Sequence, residues 1–224
     1  MGRYAVPTDS SQPAYSQRHI PNLITIGRLV VTAFFFVVIN LHPPAHLAIA
    51  WIVLALVLFA FAVASDIVDG RLARAWKVES VFGRVVDPFA DKILICGAFV
   101  FFSDPGWSAW PIPPAISDTH LSSTGITQWM AVVLIAREFL VTGIRSLAES
   151  RGIDFRAQWS GKVKMVLQCA AVIGVMICLL AGYGLPLAAL KWLLYTRDLA
   201  IWLTLAVTVL SALQYISMAR KLLV

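Results

Sequence analysis

Charge and cysteine are both scarce in this 224-residue chain, and each scarcity excludes something. Only 13% of residues are Asp, Glu, Lys or Arg, against about 25% in an ordinary soluble domain, while 59% are hydrophobic and the mean hydropathy is +0.80. A water-soluble enzyme, a disordered tail and a nucleic-acid-binding module are excluded on that balance. The three cysteines, Cys96, Cys169 and Cys178, lie inside apolar runs without CxxC or CxxH spacing, so neither a disulfide framework nor a zinc site follows. Residues 1–19 lack the charged start, apolar middle and small-residue cleavage site of a signal peptide. They are expected to form a polar arm, ending in an interfacial turn, ahead of a single membrane domain over 20–224.

What the chain has instead is long apolar runs. A membrane-crossing helix needs about 20 predominantly apolar residues. Six segments qualify: Leu23–Leu41, Leu47–Ile67, Pro88–Phe102, Gln128–Leu147, Val163–Leu180 and Leu199–Met218. The third is short unless its polar start, Asp87 to Lys92, belongs to the same helix. The expected fold is therefore all-α and polytopic, with six transmembrane helices in a lipid bilayer. The net charge of +6 is unevenly placed. The connections at 42–46 and 103–127 carry no Lys or Arg, and that at 181–198 carries only Lys191 and Arg197. Arg71, Arg74, Lys77, Arg84, Arg151, Arg156, Lys162 and Lys164 fall in or beside the alternate connections, and Arg3, Arg18, Arg220 and Lys221 near the termini. The positive-inside rule then places both termini and both basic loops in the cytoplasm. The Pro- and Trp-rich stretch in the 103–127 connection reads as a segment lying at the headgroups.

Against this apolar background stand four aspartates between Ser65 and Lys92. Asp66 and Asp69 are spaced i, i+3 at the end of the second span, and Asp87 and Asp91 i, i+4 at the start of the third, so each pair shares a helix face. The short loop between them makes the two helices antiparallel neighbours and lets four carboxylates converge at the cytoplasmic edge. Four uncompensated anions repel strongly in a low-dielectric site, so a positive group is expected among them. Hard oxygen donors without histidine or thiolate point to Mg²⁺, Mn²⁺ or Ca²⁺. Two such ions would balance the charge and suit phosphoryl transfer. The plainer alternative is that Asp66 and Asp69 end a helix and pair with Arg71 and Arg74. Gly70 allows a ligand close to the backbone or serves helix packing, and Arg74 holds a phosphate or is solvated.

The pattern Asp66-x2-Asp69-Gly70-x2-Ala73-Arg74-x8-Gly83-x3-Asp87-x3-Asp91 resembles the signature of the CDP-alcohol phosphotransferase family at every fixed position. The resemblance implies a six-helix integral membrane enzyme, a homodimer, that uses two divalent cations to move a phosphatidyl or related group from a cytidine nucleotide to an alcohol, releasing CMP. IPNLITIGRL at Ile20–Leu29, DPFADK at Asp87–Lys92, IAREFLVTGIR at Ile135–Arg145 and WSGKVKM at Trp159–Met165 resemble segments of the family's bacterial branch whose acceptor is sn-glycerol 3-phosphate. That branch implies CDP-diacylglycerol as donor and a bacterial inner membrane with a cytoplasmic site. The polar arm and the last span have no such match.

Carried over by position, Asp66, Asp69, Asp87 and Asp91 are expected to bind metal (Mg or Mn), with Asp91 also the general base. Gly70, Arg74 and Ser80 match CDP-binding positions, although Ser80 also suits a helix N-cap. The acceptor phosphate needs further cations, and Arg137, Arg145, Lys162 and Lys164 are available. Arg137 and Arg145, eight residues apart, share a helix face, and Arg137 lies inside an apolar span, where an internal polar cavity is its natural setting. Glu138 is placed to hold an arginine. Lys162 and Lys164 have a second reading, as inner-face charges attracting anionic lipid. Arg28 joins the nucleotide side of the cavity or pairs with an aspartate. Two rivals remain open: the same chemistry on inositol phosphate, inositol or serine, and a divalent-cation transporter, for which the midplane lacks matching polar residues.

Overall fold

The computed structural model describes residues 15–41, 43–76, 81–109, 123–150 and 159–223; within them, the side chains of 15–22, 24, 67–76, 81–88, 91, 108–109, 149, 159–162 and 220–223 lie outside the description. Six long helices account for most of these residues: α1 (Tyr15–Asn40), α2 (Ala48–Trp76), α3 (Val81–Phe102), α4 (Gln128–Ser150), α5 (Trp159–Ala181) and α6 (Leu187–Leu223). Short 3-10 turns at Ala45–Leu47 and Pro105–Ala109 complete the secondary structure, and there is no strand among the described residues. Each expected span coincides with one helix. The polar start of the third, Asp87 to Lys92, is continuous with its apolar part in α3, as its length required.

The helices run longer than the apolar windows, most of all at three places. α1 begins at Tyr15, so the final residues of the stretch expected as a polar arm are helical. α2 continues through Asp66 and Asp69 to Trp76. α6 begins at Leu187 rather than Leu199, taking Lys191 and Arg197 into the helix. Three stretches among the described residues are long and apolar enough to cross a bilayer: Ala45–Asp66, Val163–Ala181 and Leu187–Ala219. Thr25–Asn40 and Lys92–Phe102 are shorter apolar helices, and α4 carries Arg137, Glu138 and Arg145 within its length.

α1 packs on both α2 and α3, α6 packs on α4 and α5, and α2 and α3 join the two groups through contacts with α5 and, for α3, α4. One core runs through the bundle, with Phe35, Phe59, Phe99, Leu134, Met176, Leu190 and Leu194 buried in it. Aromatic rings lock α1 to its neighbours: Phe35 lies 5.5 Å from Phe59, and Phe36 stacks on Phe101 at 5.2 Å. A side chain at Gly97 would collide with the Phe36 ring, so the missing Cβ is what lets α1 and α3 approach there.

The outside of the bundle is apolar as well. Leu23, Ile26, Val30, Phe34, Val37 and Leu41 form an exposed stripe at helical spacing along α1, and Trp192, Leu199, Trp202, Leu210 and Leu213 are exposed on α6. A soluble monomer rarely exposes continuous apolar surface on this scale, whereas acyl chains cover it without penalty. Together with the apolar length of three helices, this makes the chain an integral membrane protein.

The loop end of the bundle near Phe102 is tied by polar contacts. Trp107 Nε1 donates to the Phe101 carbonyl at 2.6 Å, and Thr124 Oγ1 donates to the Phe102 carbonyl at 2.7 Å. Arg197, 2% exposed, bonds Asp198 Oδ1 and the Ser123 carbonyl at 2.8–2.9 Å. Gly125, with φ of 73°, passes so close to this pair that a Cβ would press on Asp198 and Arg197.

Candidate active site

The acids begin at Asp66. Its Oδ1 accepts from Nη1 of Arg28, a residue 2% exposed on α1. An unpaired arginine at that depth would be costly, and the carboxylate compensates it. Thr25 and Thr32 flank Arg28 on the same face of α1, and both are buried, with Thr32 Oγ1 lacking a hydrogen-bond partner among the described residues. Of the two readings for Arg28, pairing with an aspartate is the contact seen. The Asp66 side chain retains 22% exposure, so it is not sealed from a ligand.

Positions 69, 70 and 74 continue α2, and positions 87 and 91 lie in the first half of α3. The side chains of Asp69, Arg74, Asp87 and Asp91 lie outside the described set, as does all of Ser80. Among the described residues no group of three or more acidic, His or Cys side chains gathers. The donor set is nonetheless chemically consistent: two pairs of carboxylates on two helices, oxygen donors only, of the kind hard divalent ions take.

A second polar cluster is described in full. On α4, Glu138 Oε1 accepts from Lys164 Nζ of α5 and, at 3.3 Å, from Arg137 Nη1. Arg137, Glu138 and Lys164 are each 7% exposed. Arg137 also donates from Nη2 at 2.8 Å and Nε at 3.2 Å to Ser211 Oγ on α6, which passes its own proton to the Thr208 carbonyl at 2.9 Å. Two cations share one anion, so the cluster carries a net positive charge inside the bundle. Lys164 is thus built into the bundle and does not stand as a surface charge for lipid headgroups.

Two turns along α4, Arg145 is half-buried and its Nε has no hydrogen-bond partner among the described residues. The Lys162 side chain lies outside the description. Lys92, which stands in the sequence only as the end of the DPFADK segment, follows Asp91 directly and donates from Nζ to Thr142 Oγ1 at 2.7 Å, joining the acid-bearing α3 to α4. Thr142 in turn donates to the Glu138 carbonyl at 2.6 Å. The cation cluster therefore reaches the residue next to Asp91. Gln168 and Thr208, one turn from Lys164 and Ser211 respectively, are buried, and Gln168 Nε2 and Thr208 Oγ1 have no partner among the described residues. Ser211, Thr208 and Gln168 were not legible as site residues, because isolated hydroxyls and amides in apolar spans carry no spacing signal. The described clefts lie at the other end of α3, including one of about 440 Å³ lined by Phe102, Asp104, Trp107 and Thr124, and hold none of these residues.

Two pairs of aspartates sit on α2 and α3, and a buried cation cluster is tied to α3 through Lys92, an arrangement that suits a membrane enzyme handling phosphate. Residues 18–210 match the sequence model of the CDP-alcohol phosphatidyltransferase family, and the chain belongs to that family. It is accordingly a transferase, which sets aside the cation-transporter reading, and the family generally uses divalent metal ions. Among similar proteins, the CDP-diacylglycerol–glycerol-3-phosphate 3-phosphatidyltransferase of Bacillus subtilis (strain 168) is 29% identical over 212 residues, covering 89% of this chain and 94% of its own. The protein of the same name from Salmonella typhimurium is 30% identical over 215 residues, covering 91% and 96%. That from Yersinia pestis (strain Pestoides F) is 30% identical over 163 residues, covering 71% and 78%.

Proposed function

We propose that the chain transfers the phosphatidyl group of CDP-diacylglycerol to sn-glycerol 3-phosphate, giving phosphatidylglycerophosphate and CMP as a step of phospholipid biosynthesis. The observation that carries the acceptor assignment is the buried Arg137–Glu138–Lys164 cluster, whose net positive charge suits the phosphate of a phosphorylated alcohol. Arg145 and Lys162 extend the same seat. The names of relatives aligned over most of the chain support the same acceptor.

In this reading Asp91 takes the proton from the acceptor hydroxyl. The oxygen attacks the phosphorus that bears diacylglycerol, a new P–O bond forms, and the bond to CMP breaks. Asp66, Asp69, Asp87 and Asp91 hold two divalent cations, Mg²⁺ or Mn²⁺, which when bound stabilise the developing alkoxide and the leaving phosphate. A carboxylate is then basic enough for the proton transfer. Gly70, Arg74 and Ser80 receive the CDP group, and Arg28, which holds Asp66, serves the same group. A site at the end of the spans leaves the acyl chains of the donor in the bilayer while its nucleotide reaches water. Both termini and the site face the cytoplasm, in a bacterial inner membrane, and the six-span unit works as a homodimer.

The test is CMP release by purified protein in detergent with CDP-diacylglycerol and Mg²⁺ or Mn²⁺, adding glycerol 3-phosphate, inositol phosphate, inositol and serine singly. Release that requires glycerol 3-phosphate is expected. Release with another alcohol alone would keep the metal chemistry and overturn the acceptor.

A further inference from the structure

The guanidinium of Arg137 is held on two sides. Ser211 Oγ takes both Nε–H and one N–H of Nη2, capping one edge, while Glu138 Oε1 takes one N–H of Nη1. A guanidinium has five N–H groups. Three are used, and one N–H on each terminal nitrogen has no partner among the described residues. Donors without partners are expensive at 7% exposure, and two of them on one guanidinium suit the oxygens of a phosphate. Ser211 is itself 1% exposed and its proton is committed to the Thr208 carbonyl, so its oxygen is fixed as an acceptor toward Arg137.

We propose that Ser211 of α6 is a positioning residue for acceptor recognition: by tying down the Nε edge of Arg137 it aims the arginine's two remaining N–H groups at the acceptor's phosphate. The proposal rests on the assignment of a phosphorylated acceptor to the Arg137 cluster. It gives the last helix a part in specificity, although Ser211 lies one residue beyond the stretch that matches the family. Without the serine oxygen, Glu138 draws the guanidinium toward Lys164 and the free pair turns away from the ligand.

Ser211→Ala removes the oxygen and little volume. It is expected to raise KM for glycerol 3-phosphate about ten-fold or more, the size of one lost hydrogen bond to a charged group, with kcat and the KM for CDP-diacylglycerol within about two-fold of wild type. Ser211→Cys, close in volume but a poor acceptor, should move the same constant in the same direction, and it serves if the alanine variant does not fold. Thr204→Val removes a buried hydroxyl on the same helix whose bonds go to the Leu167 and Ala200 carbonyls. It should leave the KM for glycerol 3-phosphate unchanged, which separates a packing effect from the positioning role. Both KM values unchanged in the folded Ser211 variants, or raised equally, would overturn the role of Ser211. Failure of the wild-type protein to use glycerol 3-phosphate at all would overturn the acceptor assignment and the role built on it.

Discussion

Glu138 stands between two buried cations, and its removal has a calculable consequence. Glu138→Ala leaves Arg137 and Lys164 facing each other without an anion, and breaking a buried pair in this way costs about 3–5 kcal/mol. Thermal unfolding in detergent should show a clear drop in midpoint for Glu138→Ala, much larger than for Ser211→Ala, and equal midpoints would mean the charges are solvated in the native protein. Asp91→Asn is the opposite kind of change, near-isosteric and at the reacting end. It is expected to keep the fold and much of the nucleotide binding while turnover falls at least about 10²-fold, the usual contribution of a general base. Near-normal turnover would remove Asp91 from that role. At this scale the sequence was most informative where charge is expensive. Four aspartates and Arg137 stood out because apolar spans rarely tolerate them, and Glu138 was placed beside an arginine from adjacency alone. Ser211 did not stand out, since a serine in an apolar helix is cheap and its importance comes from a partner 74 residues away.

The helices matched the apolar windows in number and order but not in their ends. α6 starts twelve residues before its apolar window because Arg197, which reads as a loop charge, is neutralised by Asp198 and capped by the Ser123 carbonyl. No hydropathy window registers a charge satisfied across 74 residues. Close approach of α1 and α3 at Gly97 was equally hidden, since a glycine in a membrane helix has many uses. Gly97→Ala drives a methyl into the Phe36 ring, which stacks on Phe101 and so has limited room to swing. Overpacking of this sort costs about 1–3 kcal/mol. Phe36→Leu, which withdraws the far end of the ring, should restore part of the stability lost in Gly97→Ala; a simple sum of the two single losses in the double variant would mean the ring is not the obstacle.

Across the whole molecule, apolar residues cover the outside while the buried polar groups lie between helices. Arg28 with Asp66 occupies one seam, and Arg137, Glu138, Lys164 and Ser211 another. Lys92 connects the second seam to the helix that carries Asp87 and Asp91. Composition alone indicated a membrane protein, and the aspartate spacing is the basis for the site proposed for its chemistry. The union of α4, α5 and α6 around one arginine required the fold, because those contacts join segments far apart in the chain. In the proposed function, this arrangement joins glycerol 3-phosphate to the phosphatidyl group of a nucleotide-activated lipid. Its most direct test is the transfer of isotope-labelled glycerol 3-phosphate into chloroform-soluble lipid by the purified protein. Label should enter lipid mole for mole with CMP released, only with CDP-diacylglycerol present, and should stop when EDTA removes the divalent cation. CMP release with the label remaining in the aqueous phase would rule out this transfer.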